Sequence, residues 1–245
     1  MTNTTDKYFN IRYHKSSVIL ELDYMIFLEN ETYSHKEKLK TILDEIEKSR
    51  EIDIVIISNN HTNFSLEKYK EKWDAFYKGA YWEDNILRVF RTYDELFIKI
   101  KSLKKAIVFM SNKTVNTMLF NFSMSADLRF ISNDFVINNN NKNMVNIPKG
   151  GHILNKYIYK NPFKLIFLLK EIKPDTLYKR QLVDRVYSNN LEEKVLTIAD
   201  HLATFDYIEM ETIKILDHKR LNKIEHKLQK ENEFLLSCIR TKINQ

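Results

Sequence analysis

Glycine is the residue this sequence does largely without. Only Gly79, Gly150 and Gly151 occur in 245 residues, where ordinary usage would give about 17. The shortage removes whole mechanisms. There is no G-x-G-x-x-G and no P-loop, so the common dinucleotide and triphosphate cradles are absent. There is no G-x-S-x-G nucleophile elbow either. Cysteine is nearly as scarce. With Cys238 alone, no disulfide forms within the chain and a four-cysteine zinc site is excluded. The histidines match no strong metal-ligand spacing, so no metal is expected. Long apolar runs are missing too. The longest block, Leu165 to Leu169, is far short of the roughly 20 residues that cross a bilayer. The polar start MTNTTDKYFN has no signal-like apolar core. The expectation is a cytoplasmic protein with no membrane association.

Charge is abundant but mixed. Lys and Arg number 39 against 33 acids, for a net charge of +6. The two signs alternate along the chain and no basic tract of nucleic-acid-arm length occurs, so nucleic acid is not expected as a partner. A solvated basic surface or an anionic small ligand fits better. The 43% of hydrophobic residues is enough for a substantial core, and a single structural domain is the simplest division of this length.

Periodicity gives an α/β order. Residues 8–14 and 17–23 read as strands around a turn at Lys15-Ser16. Ser34 and Glu37 have capping-box spacing, followed by Leu39, Ile42, Leu43 and Ile46 at helical intervals. IDIVIIS, inside 51–59, is a continuous apolar run suited to a strand buried on both faces. A loop and one or two short helices are expected over 60–85, and an amphipathic helix over Asp94–Leu103. Further expectations are a strand at Lys105–Met110, a helix at Asn116–Ser125, a strand at Leu128–Ser132 and a short strand at Asp134–Ile137. An Asn-rich loop follows over 138–146. Helices opened by Asn161-Pro162 and by Pro174 come next, then a strand-like exit at Leu182–Tyr187. The end reads as a helix over Leu191–Ala203 and a long one from Tyr207 to about Arg240, with Leu221, Ile224, Leu228 and Leu235 on one face.

Four segments, in order, carry a family resemblance: KKAIVFMSNKTV, SADLRFIS, NIPKGGHILNKYIYKNPFKLIFLL and RQLVDRVYSNNLEEKVLTIADHLA. They resemble segments of the crotonase superfamily, the enoyl-CoA hydratases and isomerases. The resemblance is strongest from Lys105 to Ala203. It implies the ClpP/crotonase fold: a spiral of ββα units over 1–190, then a helical C-terminal region over 191–245 through which the family trimerises. It implies an acyl thioester as ligand, carried on CoA or on the phosphopantetheine of a carrier protein. It further implies a homo-oligomer, trimer or hexamer, and no separate cofactor. Two backbone N–H groups polarise the thioester carbonyl in that family, and glutamates move protons.

This sequence departs from the family at those positions. The oxyanion-hole donors fall on Leu66 and Met118 where the family has small turns, and their bulk implies a narrowed hole. The two acid positions fall on Asn121 and Asn141, and an amide cannot act as a general base. Both are thus degenerate acid positions, either relics or remodelled sites. YMIFLENETYS stands where the family has a CoA-contacting loop, and the final helix of many members finds little room after Cys238. Gly150 and Gly151 match the family's other glycine-rich turn and, with His152, are further pocket candidates. His61 precedes the first donor. Glu67, Glu71, Asp74, Glu83 and Asp84 are either displaced carboxylates or a solvated face. Trp73, Phe76, Tyr77, Tyr81 and Trp82 are either an acyl pocket or core. Asp127 reads as structural. The function that follows is an acyl-thioester-binding or partner protein without hydratase activity. The alternative is an active crotonase using other residues as a hydratase, isomerase or decarboxylase.

Overall fold

The computed structural model describes residues 2–29, 34–59, 65–138, 149–151, 171–218 and 221–243. The chain opens with strands β1 (Thr4–Thr5), β2 (Phe9–His14) and β3 (Ser17–Leu22), then a 3-10 turn at Tyr24–Leu28. Helix α1 (Ser34–Lys48) leads into β4 (Ile54–Ser58), and helices α2 (Leu66–Lys78) and α3 (Trp82–Ser102) into β5 (Ala106–Ser111). The short strand β6 (Val115–Asn116) runs straight into α4 (Thr117–Phe122), followed by β7 (Leu128–Ser132) and β8 (Ile137–Asn138). Then come β9 (Glu171–Ile172), α5 (Pro174–Lys179), β10 (Arg185–Tyr187), α6 (Leu191–Leu202), α7 (Tyr207–His218) and α8 (Leu221–Ile243).

Seven strands form the main sheet in the order β1-β2-β3-β4-β5-β7-β10, with β6, β8 and β9 in a second small sheet. The β2–β3 pair is antiparallel, closed by Lys15 at φ 50°. From β3 to β10 every pairing in the main sheet is parallel. Parallel strands need both faces covered, which explains the uninterrupted apolar runs IVIIS and AIVFMS. Alternation divides them between two cores. Val55, Ile57, Ile107 and Phe109 face the larger core with α1, α2, α3, α4 and α8. Ile54, Ile56, Val108 and Met110 face a smaller one against Leu191, Val195 and Ala199 of α6.

Two expectations are corrected. The amphipathic stretch from Asp94 is the second half of a 21-residue helix, because Ile86, Val89 and Phe90 extend the same buried stripe backwards. Of the long helix expected from Tyr207 to about Arg240, Tyr207–His218 and Leu221–Ile243 are helical, the latter running past the half-buried Cys238, and residues 219–220 lie outside the described ones. The short strand expected at Asp134–Ile137 is the two-residue β8 at Ile137–Asn138. The segments at 139–148 and 152–170, with the Asn-rich loop and the Asn161-Pro162 helix, lie outside the described residues. Among the described residues no helix is long and apolar enough to cross a membrane.

Two polar side chains fasten the sheet to its surroundings. Asp127 Oδ2 accepts the Ile107 N–H at 2.8 Å and lies 2.5 Å from the Lys214 ammonium of α7. Arg129 is buried, and its guanidinium donates to the carbonyls of Leu182 (2.8 Å) and Ala126 (2.9 Å). Both carbonyls belong to buried residues. Arg129→Met should therefore destabilise the chain by about 2–4 kcal/mol, read as a lower urea midpoint with an unchanged slope.

Candidate functional site

The two expected donor residues both stand in the first turn of a helix. Ser65 adopts extended backbone and its Oγ accepts the Lys68 N–H, so Leu66 is the first residue of α2. The Tyr24 hydroxyl holds this start in place, accepting from the Ser65 N–H (3.2 Å) and donating to the Ser65 carbonyl (3.4 Å). At α4, Asn116 is the cap and its Oδ1 accepts the Leu119 N–H at 2.8 Å, leaving Met118 second in the helix. First-turn N–H groups have no acceptor within their own helix. Leu66 and Met118 thus keep amides of the kind that polarise a carbonyl.

The Met118 side chain is buried, and its Sδ receives the Tyr69 hydroxyl of α2 at 3.8 Å. Tyr69 and Tyr24 lie ring to ring, as do Tyr69 and Trp73. Burial pushes the Tyr69 phenol far above its ordinary range. Trp73 and Phe76 pack into the core, while Tyr81 is exposed and Trp82 half-buried. Of the nearby acids, Glu83 is committed to Arg240 through two 2.6 Å hydrogen bonds.

Asn121 lies on α4 and is wholly buried. Its Nδ2 donates to the Lys149 carbonyl at 2.8 Å, and among the described residues its Oδ1 has no hydrogen-bond partner. Beyond Lys149 the chain turns at Gly150, φ +82°. A Cβ there would lie 2.3 Å from the Tyr93 hydroxyl and 2.9 Å from Asn121 Cβ. Glycine is required twice over, by backbone conformation and by space. Gly151 has no such demand: the nearest atom to a Cβ would be Glu231 Oε1 at 3.9 Å. Asn141 and His152, like His61, lie outside the described residues.

Behind this turn is a charged cluster. The Lys149 side chain is 1% exposed, with its ammonium 2.6 Å from Asp94 Oδ1 of α3 and 3.1 Å from Glu231 Oε2 of α8. It also donates to the Leu228 carbonyl at 3.3 Å and lies over the rings of Tyr93 and Phe90. Asp94 Oδ2 accepts from Asn232 Nδ2 at 2.7 Å. Burial raises the Asp94 carboxyl, against the pull of Lys149 and Asn232, and the Glu231 charge adds to the rise. Burial, then the charges of Glu231 and Asp94, raise the Tyr93 phenol well above its ordinary range. Asp94 and Asn232 also line a cleft of about 780 Å³ between α1, α3 and α8, walled by Leu87 and Ile98.

None of Tyr93, Asp94, Lys149, Glu231 and Asn232 stands out by motif. The signal that could have found them is a carboxylate inside an apolar helical stripe. Asp94 sits between Tyr93 and Leu96–Phe97, and Glu231 between Leu228 and Leu235. Among the described residues no group of His, Cys, Asp or Glu is placed to hold a metal ion.

Two predictions follow from the turn and the cluster. Gly150→Ala should destabilise by about 3 kcal/mol or more, since a positive φ costs about 1–2 kcal/mol before the overlap with Tyr93 is counted. Adding Tyr93→Phe should recover part of that loss in a double-mutant cycle of urea midpoints. For Asp94 the folded state keeps its proton at pH values where the unfolded carboxyl, near 3.8, has lost it. Stability tied to Asp94 is therefore greatest below that value and falls as pH rises through the folded one. Melting temperature followed across this acidic window should fall less steeply in Asp94→Asn than in the parent.

Comparison with known proteins agrees with this architecture. No family model matches the sequence, and no curated protein matches it. Solved structures do match over nearly the whole chain. An enoyl-CoA hydratase from Bacillus halodurans superposes with a TM-score of 0.80 at 17% identity, covering 97% of each chain. An enoyl-CoA hydratase from Bacillus anthracis gives 0.70 at 14%, covering 94% of this chain and 90% of that one. DspI of Pseudomonas aeruginosa gives 0.71 at 13%, covering 96% and 89%. With its mostly parallel sheet and helical C-terminal region, the chain has the fold of the enoyl-CoA hydratase/isomerase proteins, the crotonase fold.

Proposed function

We propose that this chain is a crotonase-fold protein that binds an acyl thioester, on CoA or on a carrier protein, without hydrating it. The observation that carries the reading is the state of Asn121. The residue at the family's first acid position is wholly buried and spends its amide N–H on the Lys149 carbonyl. An amide there has no proton to exchange near neutral pH, and its geometry is that of a structural tie. Met118 supports the same reading, since its bulky side chain is buried against the Tyr69 hydroxyl. The Leu66 and Met118 amides remain as donors for a carbonyl oxygen. The net charge of +6 suits an anionic carrier group.

The protein works in the cytoplasm, and its assembly is a homo-oligomer, a trimer or a hexamer. Exposed Ile208 and Ile215 on α7, one helical face apart by seven residues, support an association surface there. A second reading, an active enzyme with displaced acids, is favoured by one feature: two carboxylates, Asp94 and Glu231, converge on Lys149 beside the Gly150 turn. Both are engaged with the lysine, which makes binding without turnover the better account.

Titration calorimetry with crotonyl-CoA and with free CoA, with product assayed in the same samples, tests the proposal. The expected result is binding at micromolar concentration and no hydrated product. Enzyme-like hydration that Asn121→Ala abolishes would overturn it, and absence of binding to either compound would remove the thioester ligand.

A further inference from the structure

Helix α8 packs on α3 through Leu228, Leu235, Leu236 and Ile239, all buried. In the middle of this apolar face stands Glu231, 9% exposed. A residue needed only for packing would be apolar there, because stripping water from a carboxylate costs several kcal/mol. Its partners explain it. Oε2 accepts the Gly150 N–H at 2.8 Å and lies 3.1 Å from the Lys149 ammonium, so two donors converge on one oxygen from 81 and 82 residues away in sequence. The absence of a Cβ at Gly150 accompanies the positive φ of the turn that presents this N–H. The Lys149 carbonyl is meanwhile tied to Asn121, which holds the turn from the other side.

A backbone N–H and an ammonium fixed around one point, away from water, are the ingredients of a carboxylate-binding site. We propose that the Lys149–Gly150 turn is such a site, that the chain fills it with its own Glu231, and that α8 is thereby a tethered competitor against any small carboxylate that reaches the turn. The inference is independent of the thioester reading, and its test uses neither CoA nor activity.

The test is thermal melting of the full chain in sodium formate against sodium chloride at equal ionic strength. Glu231→Ala leaves the Gly150 N–H without its acceptor while Asp94 still neutralises Lys149. This variant should melt below the parent, and formate at several times its dissociation constant should raise its melting temperature by roughly 3 °C more than chloride does. The parent, already filled, should respond alike to both salts, and its formate affinity should be at least tenfold weaker than the variant's. Lys149→Met added to Glu231→Ala should abolish the formate-specific shift. Equal shifts in the two salts for Glu231→Ala, or equal formate affinity of parent and variant, overturn the proposal. Should Glu231→Ala fold in neither salt, Glu231→Gln decides. Its α8 amides should exchange hydrogen at least tenfold faster than the parent's, and unchanged exchange overturns the tether.

Discussion

An ammonium shut away from water must meet negative charge at contact distance, and Lys149 sets that requirement at the centre of this molecule. Meeting it brings α3, α8 and the Lys149–Gly151 turn together through Asp94, Glu231 and the Leu228 carbonyl. The rest of the arrangement follows from where the lysine backbone must then lie. Its carbonyl takes Asn121, and the next residue has to be a glycine because Tyr93 occupies the side-chain volume. Helices from the middle and the end of the chain are thus coupled to α4 through a single turn.

That coupling gives Asn121 a structural reading. In the resemblance, the position holds a carboxylate that moves protons. Here a carboxylate would face the Lys149 carbonyl, acceptor against acceptor, and an amide is the side chain that satisfies it. Negative charge is still present nearby, but it comes from α3 and α8 and is bound to the lysine. The polar groups here form a joint between helices. Met118 is engaged in the same region, its thioether meeting the Tyr69 hydroxyl.

Much of the fold was legible because parallel strands and amphipathic helices write themselves in simple periods. IVIIS and AIVFMS announce two-sided burial, and Leu39, Leu43 and Ile46 announce a helix face. The four motif segments then fixed the order. What escaped were features that depend on partners remote in sequence. The start of α3 at Trp82 was hidden because the polar run Glu83, Asp84 and Asn85 precedes its first buried residue, Ile86. The sequence singles out Leu66, Met118, Asn121 and Gly150 as candidate positions, but not the electrostatics around them. Glu231 reads as one more acid in a charged helix until its neighbour across 81 residues is known.

The hairpin of β2 and β3 has a consequence for the order in which the molecule assembles. It is the pairing in the main sheet closed by a turn of two residues, Lys15 and Ser16, and its six cross-strand partners come together with little loss of chain freedom. Each later pairing, β3 with β4, β4 with β5 and β5 with β7, spans a helical crossover and must wait for a longer loop to close. The N-terminal hairpin is therefore the natural template onto which strands add one at a time, in sequence order. The Lys149 joint, which needs α3 and the last helix together, belongs to the closing step of folding.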